Sequence, residues 1–312
     1  MEQRQLGHTG LRVSATTLGT MTWGSDTDEH EAKDLLTEFV DAGGSLLDTA
    51  PGYGQGHAEE LIGELLDDVV DRRDVILMTK AGVSPARGGG ARLDTSRRTL
   101  LTSLDDSLAR LGVETVDIFM VQAPDSLTPL AEVAGALTQA VTSGRAHYVG
   151  VSNFAPWQIG YLAGMMGPEV PLSLIQAEYS LLQRDPEDDL FELCEALGLG
   201  FVGCAGLGRG VLTGKYRHTI PADSRAASTH LAAYVEPYLS GTYAGIVEAV
   251  ATAAQGLDVQ PLQVAAAWAR CHPAVSSLIV GPRTAAQFRP LLTTDFELPD
   301  QIYAALSEAT FD

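Results

Sequence analysis

Short apolar runs alternate along the chain with longer segments whose apolar residues recur at helical spacing. The apolar runs, interpreted as strands, lie at 14–20, 44–49, 75–80, 116–122, 146–151, 174–179, 200–205 and 276–281. Helical patterns lie at 29–42, 57–69, 95–111, 129–143, 156–166, 186–197, 244–255 and 261–271. Because the strands are apolar throughout, we expect each to be buried on both faces, as parallel strands are. This alternation predicts a single (β/α)8 barrel domain of the TIM-barrel type over residues 1–312.

Two segments fall outside this alternation. Residues 3–6 and 11–15 flank the turn sequence Gly7-His8-Thr9-Gly10 and predict a short hairpin ahead of the barrel. Residues 213–243, after the seventh strand, form a long irregular loop with several aromatic residues, which indicates either a binding loop or a plain surface excursion. An open doubly wound sheet is disfavoured, because the first predicted strand is not followed by the G-x-G-x-x-G loop that is typical of that fold.

Composition narrows the classes of partner. The 312 residues carry a net charge of −20, which argues against nucleic acid or an anionic membrane as a main partner. No apolar run reaches the roughly 18 residues that a transmembrane helix needs, and the N-terminus lacks the pattern of a signal peptide. The three cysteines have no metal-type spacing, so we expect no metal site and a reducing, cytoplasmic location. The oligomeric state stays open.

Polar side chains stand where the predicted strands end. Asp48 ends the second strand and is soon followed by Tyr53, Lys80 ends the third strand, and Gln122 ends the fourth. In a barrel these strand ends meet at one rim, which is where barrel enzymes carry their chemistry. Asp48 and Tyr53 alone could equally be a capped turn, but an acid, a lysine and a tyrosine from successive elements are a stronger signal.

Together these residue types suit proton transfer. A tyrosine is a poor acid at neutral pH, because its ordinary pKa is about 10. The charge of Lys80 would favour the phenolate, while Asp48 would hold Lys80 protonated and oriented. Tyr53 could then donate a proton to a carbonyl oxygen as the carbonyl carbon accepts a hydride. Only three of the 20 basic residues are lysines. A lysine at a strand end is therefore stronger evidence of a specific chemical role than an arginine there would be.

Seven motifs make the chain resemble the aldo-keto reductases over nearly its whole length. They are Leu18-Gly19-Thr20-Met21-Thr22-Trp23-Gly24, Asp48-Thr49-Ala50 with Tyr53-Gly54, Glu59-Glu60-Leu61-Ile62-Gly63, Thr79-Lys80, Gly150-Val151-Ser152-Asn153-Phe154, Gln176-Ala177-Glu178-Tyr179-Ser180 and Leu212-Thr213-Gly214-Lys215-Tyr216. The resemblance implies a (β/α)8 barrel that binds NADPH across its rim and reduces an aldehyde or ketone. It also implies that Tyr53 is the proton donor, tuned by Lys80 and Asp48.

The same resemblance implies a set of binding residues. Ser152, Asn153 and Gln176 would bind the carboxamide of the nicotinamide. Arg283 and Gln287 would bind the adenosine 2′-phosphate, which favours NADP over NAD. The remaining cofactor-binding positions would be Thr20, Met21, Cys204, Leu207, Gly208, Gly210, Lys215 and Gly281, and the substrate-binding positions would be Trp23, Tyr53 and Gln122. Substrate specificity would depend on the loop after the first strand, on 83–93 and on 213–243.

Three positions depart from the family pattern. Gln122 stands where the family most often has a catalytic histidine, and its amide can donate a hydrogen bond but cannot titrate. Cys204 replaces an aromatic residue that stacks on the nicotinamide, and Leu291 replaces an asparagine that contacts the adenine. Two alternatives to a reductase therefore remain. One is an NADP-binding sensor or regulatory subunit with little turnover, and the other is a cofactor-free barrel in which Lys80 forms a Schiff base.

Overall fold

Eight parallel strands close into a barrel in the computed structural model, which describes residues 1–66, 68–86, 90–292 and 296–310. The strands of the chain are β1 (Gln3–Gln5), β2 (Arg12–Ser14), β3 (Thr16–Gly19), β4 (Leu46–Asp48), β5 (Ile76–Ala81), β6 (Val83–Pro85), β7 (Ala91–Leu93), β8 (Val116–Val121), β9 (Ala146–Ser152), β10 (Leu174–Glu178), β11 (Gly200–Cys204) and β12 (Val275–Val280). The helices are α1 (Glu29–Asp41), α2 (His57–Leu65), α3 (Arg97–Leu111), α4 (Leu130–Thr142), α5 (Pro156–Met165), α6 (Leu190–Leu197), α7 (Ala232–Val235), α8 (Ala244–Gly256), α9 (Pro261–Cys271), α10 (Ala285–Leu292) and α11 (Asp300–Glu308).

The predicted barrel and N-terminal hairpin are confirmed. Strand β12 pairs with β3 and closes a barrel of β3, β4, β5, β8, β9, β10, β11 and β12. Strands β1 and β2 pair antiparallel as the predicted hairpin. A second hairpin, β6 with β7, and the C-terminal helix α11 were not predicted. The second hairpin lies within 83–93, where residues 87–89 are outside the described part of the chain.

Two predicted segments differ in detail from the structure. Helix α2 ends at Leu65 rather than near 69, because the backbone of Leu66 turns extended and forms a bridge with Val70. The long stretch after β11 is less irregular than expected, since it contains α7 and short 3-10 turns at Arg225–Ala227, Glu236–Leu239 and Gly241–Tyr243.

The inside of the barrel is layered by the two-residue period of its strands. Its lower part is an apolar cluster of Leu6, Val13, Leu46, Met78, Ile118, Met120, Leu174, Val202 and Ile279. Two of these, Leu6 and Val13, come from the hairpin segment, which therefore closes the N-terminal end of the barrel. Two residues further along their strands, Asp48 follows Leu46, Lys80 follows Met78 and Gln176 follows Leu174. Because alternate residues share one face of a strand, a polar layer lies directly on this apolar floor.

A buried carboxylate fixes strand β5 one residue before Lys80. Glu59 of α2 is fully buried and accepts a hydrogen bond from Thr79 Oγ1 at 2.6 Å and another from Arg110 Nε at 2.8 Å. The guanidinium of Arg110, on α3, thereby neutralises the carboxylate. The interaction joins α2, α3 and β5 behind the rim, and it accounts for a glutamate in the Glu59-Glu60-Leu61-Ile62-Gly63 motif.

Two general features of the described residues bear on partners. None of their helices is both long and apolar enough to cross a membrane. They also contain no group of three or more His, Cys, Asp or Glu side chains suited to hold a metal ion.

We expect Glu59→Ala to lower the free energy of unfolding by about 3 kcal/mol, because it leaves the guanidinium of Arg110 without its carboxylate in a largely buried site. Urea denaturation of the variant measures this loss. The matched control is Glu38→Ala, which breaks the more exposed Glu38–Arg289 pair and should cost less than about 1 kcal/mol. Equal losses in the two variants would contradict the role given to Glu59.

Candidate active site

The centre of the polar layer is a lysine bonded to both an acid and a tyrosine. Lys80 Nζ donates to Asp48 Oδ1 at 2.5 Å, to the backbone oxygen of Thr49 at 3.0 Å and to the hydroxyl of Tyr53 at 3.3 Å. The side chains of Lys80 and Asp48 are only 1% and 5% exposed. The structure thus brings together the three residues that the strand ends predicted.

Burial and charge act in opposite directions on these groups. Burial by itself lowers the pKa of Lys80, but the charge of Asp48 and the bonds to Asp48 and Tyr53 outweigh it, so the net pKa is raised and the amine is protonated. Burial raises the pKa of Tyr53, the charge of Asp48 raises it further, and the charge of Lys80 lowers it. Burial prevails, so the pKa of Tyr53 lies above its ordinary value. The lowering that we expected from Lys80 is present but is outweighed.

The loop that carries Tyr53 depends on left-handed backbone. The three residues after it, Gly54, Gln55 and Gly56, have φ of 56°, 60° and 99°. A side chain at Gly54 would place its Cβ 2.6 Å from the backbone oxygen of Trp23, so only glycine fits there. This close packing holds Tyr53 against the loop that follows β3.

The predicted carboxamide-binding residues are connected to Asp48 by hydrogen bonds. Gln176 Nε2 donates to Asp48 Oδ1 at 3.0 Å, and Gln176 Oε1 accepts from Ser152 Oγ at 3.2 Å. Asn153 has a left-handed backbone (φ 61°), and its Nδ2 donates to Ser152 Oγ at 3.0 Å and to the backbone oxygen of Gln122 at 2.9 Å. These bonds form a continuous polar network from the exposed rim to Asp48.

Gln122 is fixed through its backbone, and its side chain is available. Its N–H donates to Ala81 O at 2.9 Å, which places it beside the end of β5. Its side-chain Oε1 is buried and finds no hydrogen-bond partner among the described residues. Gln122 therefore lies at the rim with a side-chain oxygen to which no described residue donates a hydrogen bond.

A second part of the rim gathers three cations. Lys215 and Arg225 belong to the long segment after β11, and Arg283 belongs to the loop after β12. Burial lowers the pKa of Lys215, and the charges of Arg225 and Arg283 lower it further. Arg225 Nη2 donates to Gly281 O at 2.5 Å, whereas its buried Nε has no partner in the described structure. Cations that repel one another, with an unused buried N–H, suit a site for an anion such as phosphate.

The segment after β11 crosses the rim above this cluster. Arg225 of this segment donates to the backbone oxygen of Gly281, and Arg283 donates to the backbone oxygen of Asp223 in the segment. Further along the segment, His230 Nε2 lies 3.2 Å from Oδ2 of Asp26, a residue in the loop after β3. The segment therefore spans the ends of β11, β12 and β3.

The remaining predicted cofactor positions lie at strand ends or in the segments that follow them at this rim. The turn at Leu207–Gly210 uses left-handed glycines at Gly208 and Gly210, and a Cβ at Gly210 would lie 3.4 Å from Lys215 Nζ. Gln287 is exposed, and its Oε1 accepts from the backbone N–H of Arg283 at 3.1 Å. Both the N–H and the hydroxyl of Thr20 donate to the backbone oxygen of Asp48, and Met21 is half-buried beside it. Cys204 ends β11, and burial raises its pKa to about 12, so it is a neutral thiol.

Comparison with known proteins settles the family. The sequence profile described as "Aldo/keto reductase family" matches residues 16–310. The chain belongs to the aldo/keto reductase family. Its members are oxidoreductases that in general reduce carbonyl groups with a nicotinamide cofactor, and the barrel described above is consistent with this assignment.

Curated relatives of this aldo/keto reductase carry two kinds of name. A "Probable voltage-gated potassium channel subunit beta" of rice is 35% identical over 90% of this chain and 87% of its own length. A protein of Schizosaccharomyces pombe with a similar name is 33% identical over 89% and 83%. An "L-glyceraldehyde 3-phosphate reductase" of Escherichia coli O157:H7 is 34% identical over 92% and 85%.

Sequence reasoning missed two residues at the rim of this aldo/keto reductase. Arg225 lies in a segment without periodic pattern, so nothing in the sequence indicated that it meets Lys215. Glu178 was detectable, because it follows Gln176 by two residues on β10 and must share its face of the strand.

Two other residues are placed in the core. Trp23, predicted as a wall of the substrate pocket, is fully buried, and its Nε1 has no partner within the described residues. Leu291 is also buried, at 5% exposure, and packs in the main hydrophobic core.

Proposed function

We propose that this protein reduces an aldehyde or ketone to the alcohol with NADPH, with Tyr53 as the proton donor. The observation that carries the proposal is the position of Lys80, which contacts the hydroxyl of Tyr53 and the carboxylate of Asp48 at once. A bound NADPH would supply the hydride to the carbonyl carbon. The oxygen would take its proton from Tyr53, so the hydride and the proton together yield the alcohol.

The surrounding residues support this step in different ways. Protonated Lys80 would stabilise the phenolate that remains after Tyr53 has given up its proton, which offsets part of the rise in the pKa of Tyr53 on burial. Gln122 would donate its amide N–H to the same carbonyl oxygen, orienting it and stabilising the charge that develops there. The backbone oxygen of Trp23 lies against the Tyr53 loop, and its side chain is fully buried.

The cationic part of the rim supports NADP as the cofactor. Ser152, Asn153 and Gln176 offer the donors and acceptors that a carboxamide needs. Lys215 and the turn at Leu207–Gly210 would accommodate the pyrophosphate. The other cofactor positions are Thr20, Met21, Cys204 and Gly281. Arg283, Gln287 and the newly recognised Arg225 would bind the 2′-phosphate, which NAD lacks.

A nucleotide-binding regulatory subunit is the second candidate. Two observations favour it: Gln122 cannot titrate, and two relatives are named as β subunits of a voltage-gated potassium channel. In that case NADPH would bind but no carbonyl compound would accelerate its oxidation. Assaying NADPH oxidation against a panel of aldehydes and ketones, with NADH in parallel, separates the two functions.

The structure argues against a Schiff-base role for Lys80. An amine must be unprotonated to attack a carbonyl, whereas Asp48 holds the pKa of Lys80 above its ordinary value.

We propose a small-molecule carbonyl compound as the substrate. We also propose a cytoplasmic location, for which the three free cysteines, Cys194, Cys204 and Cys271, are suited.

Tyr53→Phe should lower kcat for carbonyl reduction by at least about 100-fold, because general acid catalysis typically contributes 100- to 10,000-fold. NADPH should still bind, since the ring is retained. Steady-state kinetics and nucleotide fluorescence measure the two quantities. Undiminished turnover in this variant would refute the proton-donor role.

Gln122→His should introduce a pH dependence of kcat/KM centred between about pH 6 and 7, because histidine titrates there. The native enzyme should be flat over that range, since Gln122 does not ionise and the raised pKa of Tyr53 keeps its proton in place. Rate profiles of the two proteins from acid to mildly alkaline pH provide the comparison. Identical profiles would mean that position 122 does not contact the reacting carbonyl.

Arg225→Gln should weaken NADPH binding by roughly ten- to 100-fold, because a charge-assisted hydrogen bond contributes about 1.5–3 kcal/mol. NADH binding should change much less, since NADH has no 2′-phosphate. Titration calorimetry with both nucleotides tests this, with the exposed Arg217→Gln on the same segment as a control. Equal losses for NADPH and NADH would show that Arg225 serves only to attach the segment to Gly281.

A further inference from the structure

A pocket of about 420 Å³ lies at the end of the barrel opposite the polar layer, beside Ala15, the residue before β3. Its other walls come from the N-terminal hairpin, from α9 and from the segment that joins α10 to α11. Two arginines line it, Arg4 of β1 and Arg270 of α9. Pockets that take a small molecule have volumes of roughly 300–1,000 Å³. The pocket is therefore large enough for a ligand, and it is separate from the rim.

Arg270 is a half-buried cation that forms no ion pair within the described part of the chain. Its Nε donates to the backbone oxygen of Ala266 at 3.3 Å, and its Nη1 donates to Thr16 Oγ1 at 3.0 Å. Its third nitrogen, Nη2, donates to none of the described residues. Charged groups that are removed from water are ordinarily paired. This guanidinium is therefore suited to an anion from outside the chain.

Arg4 adds a second positive charge next to the first. Its Nη1 donates to the backbone oxygens of Arg270 and Val275 at 2.8 and 3.0 Å, and its Nη2 lies 2.7 Å from Oε2 of Glu2. Burial lowers the pKa of Arg270, and the charge of Arg4 lowers it further. A bound anion would relieve this repulsion. Because hydrogen bonds already hold both guanidinium groups, binding would immobilise few additional side-chain bonds.

The remaining walls restrict the kind of anion. The carboxylates of Glu2 and Glu297 also line the pocket, so they would repel a ligand with a second negative charge. A ligand without an apolar body would leave the apolar walls in contact with water. These walls are Ala15, Ala267, Leu291, Phe296 and Leu298. The pocket therefore favours one negative charge on an apolar body.

We propose that this pocket binds a small monocarboxylic acid, whose carboxylate pairs with Arg270 and whose apolar body packs against the apolar walls. A carboxylate presents two oxygens in one plane, which matches the fork of a guanidinium group. Arg4 contributes the second positive charge, and the two glutamates exclude dicarboxylates. The site does not depend on the proposed function, because the pocket and the rim lie at opposite ends of the barrel.

Hexanoate is the probe that tests this proposal. Calorimetric titration of the native protein should give a Kd on the order of 1 mM or tighter, as expected for a ligand of about eight non-hydrogen atoms. Acetate lacks the apolar body, adipate carries a second charge, and hexanol has no charge. Each should bind at least about tenfold more weakly than hexanoate. Saturating NADPH should leave the hexanoate affinity unchanged.

Variants of the charged residues identify the contacts. Arg270→Gln should weaken hexanoate binding by roughly ten- to 100-fold, because the charge-assisted hydrogen bonds to the carboxylate are lost. Arg270→Lys keeps the charge without the two-point contact and should fall in between. The matched control is Arg12→Gln, which removes an exposed charge from the same hairpin outside the pocket and should leave binding unchanged. Glu297→Gln should tighten adipate binding about two- to fivefold and affect hexanoate less.

Cys271 reports where the probe binds, since its thiol is exposed and lines the pocket. At a hexanoate concentration of about five times the measured Kd, alkylation of Cys271 by iodoacetamide should slow about sixfold, because only the empty pocket reacts. Mass spectrometry of the labelled peptides measures this rate. Cys204, at the rim, should react at an unchanged rate.

Four results would overturn the proposal. They are no detectable hexanoate binding, equal binding by the native protein and Arg270→Gln, acetate binding as tight as that of hexanoate, and unchanged alkylation of Cys271 at saturating hexanoate. If Arg270→Gln does not fold, Arg270→Lys and the alkylation rate decide the question. None of these results bears on the proposed reductase, which is tested by NADPH binding and turnover.

Discussion

The rim depends on one interaction, the buried ion pair between Asp48 and Lys80. Two charges so far from water are tolerated only when hydrogen bonds satisfy what remains of their polar capacity. Here Gln176 supplies another bond to Asp48, while Thr49 and Tyr53 accept from Lys80. The pair therefore ties β4, β5 and β10 to the loop that bears Tyr53, and the geometry of one cannot change without the others.

A strongly acidic chain binds an anion only by concentrating its few cations. With a net charge of −20, the average field of the protein repels a phosphorylated nucleotide. Lys215, Arg225 and Arg283 oppose that field locally. Burial lowers the pKa of Lys215, and repulsion from the two arginines lowers it further. A bound phosphate would relieve this repulsion. The site thus combines an attraction close to the rim with repulsion at long range, a balance that depends on ionic strength.

Much of the site followed from the sequence because strand ends of a parallel barrel share one rim. Asp48, Lys80, Gln122 and Gln176 could be placed together on that basis alone. Individual hydrogen bonds across the barrel and contacts between distant loops could not be predicted. The bond between Gln176 and Asp48 and the position of Arg225 therefore emerged only from the folded chain. The direction of the pKa shift of Tyr53 was also beyond the sequence, since it depends on burial outweighing the charge of Lys80. Hairpin β6–β7 and helix α11 were missed because their patterns are short or weakly periodic.

The hairpin at the start of the chain has an effect far from its own position. Leu6 and Val13 complete the apolar floor on which Asp48 and Lys80 stand. Electrostatic attraction strengthens as the polarisability of the surroundings falls, so a dry floor makes the charges above it interact more strongly. The side chains of the hairpin thereby strengthen the attraction between the charges of the polar layer from the opposite end of the barrel.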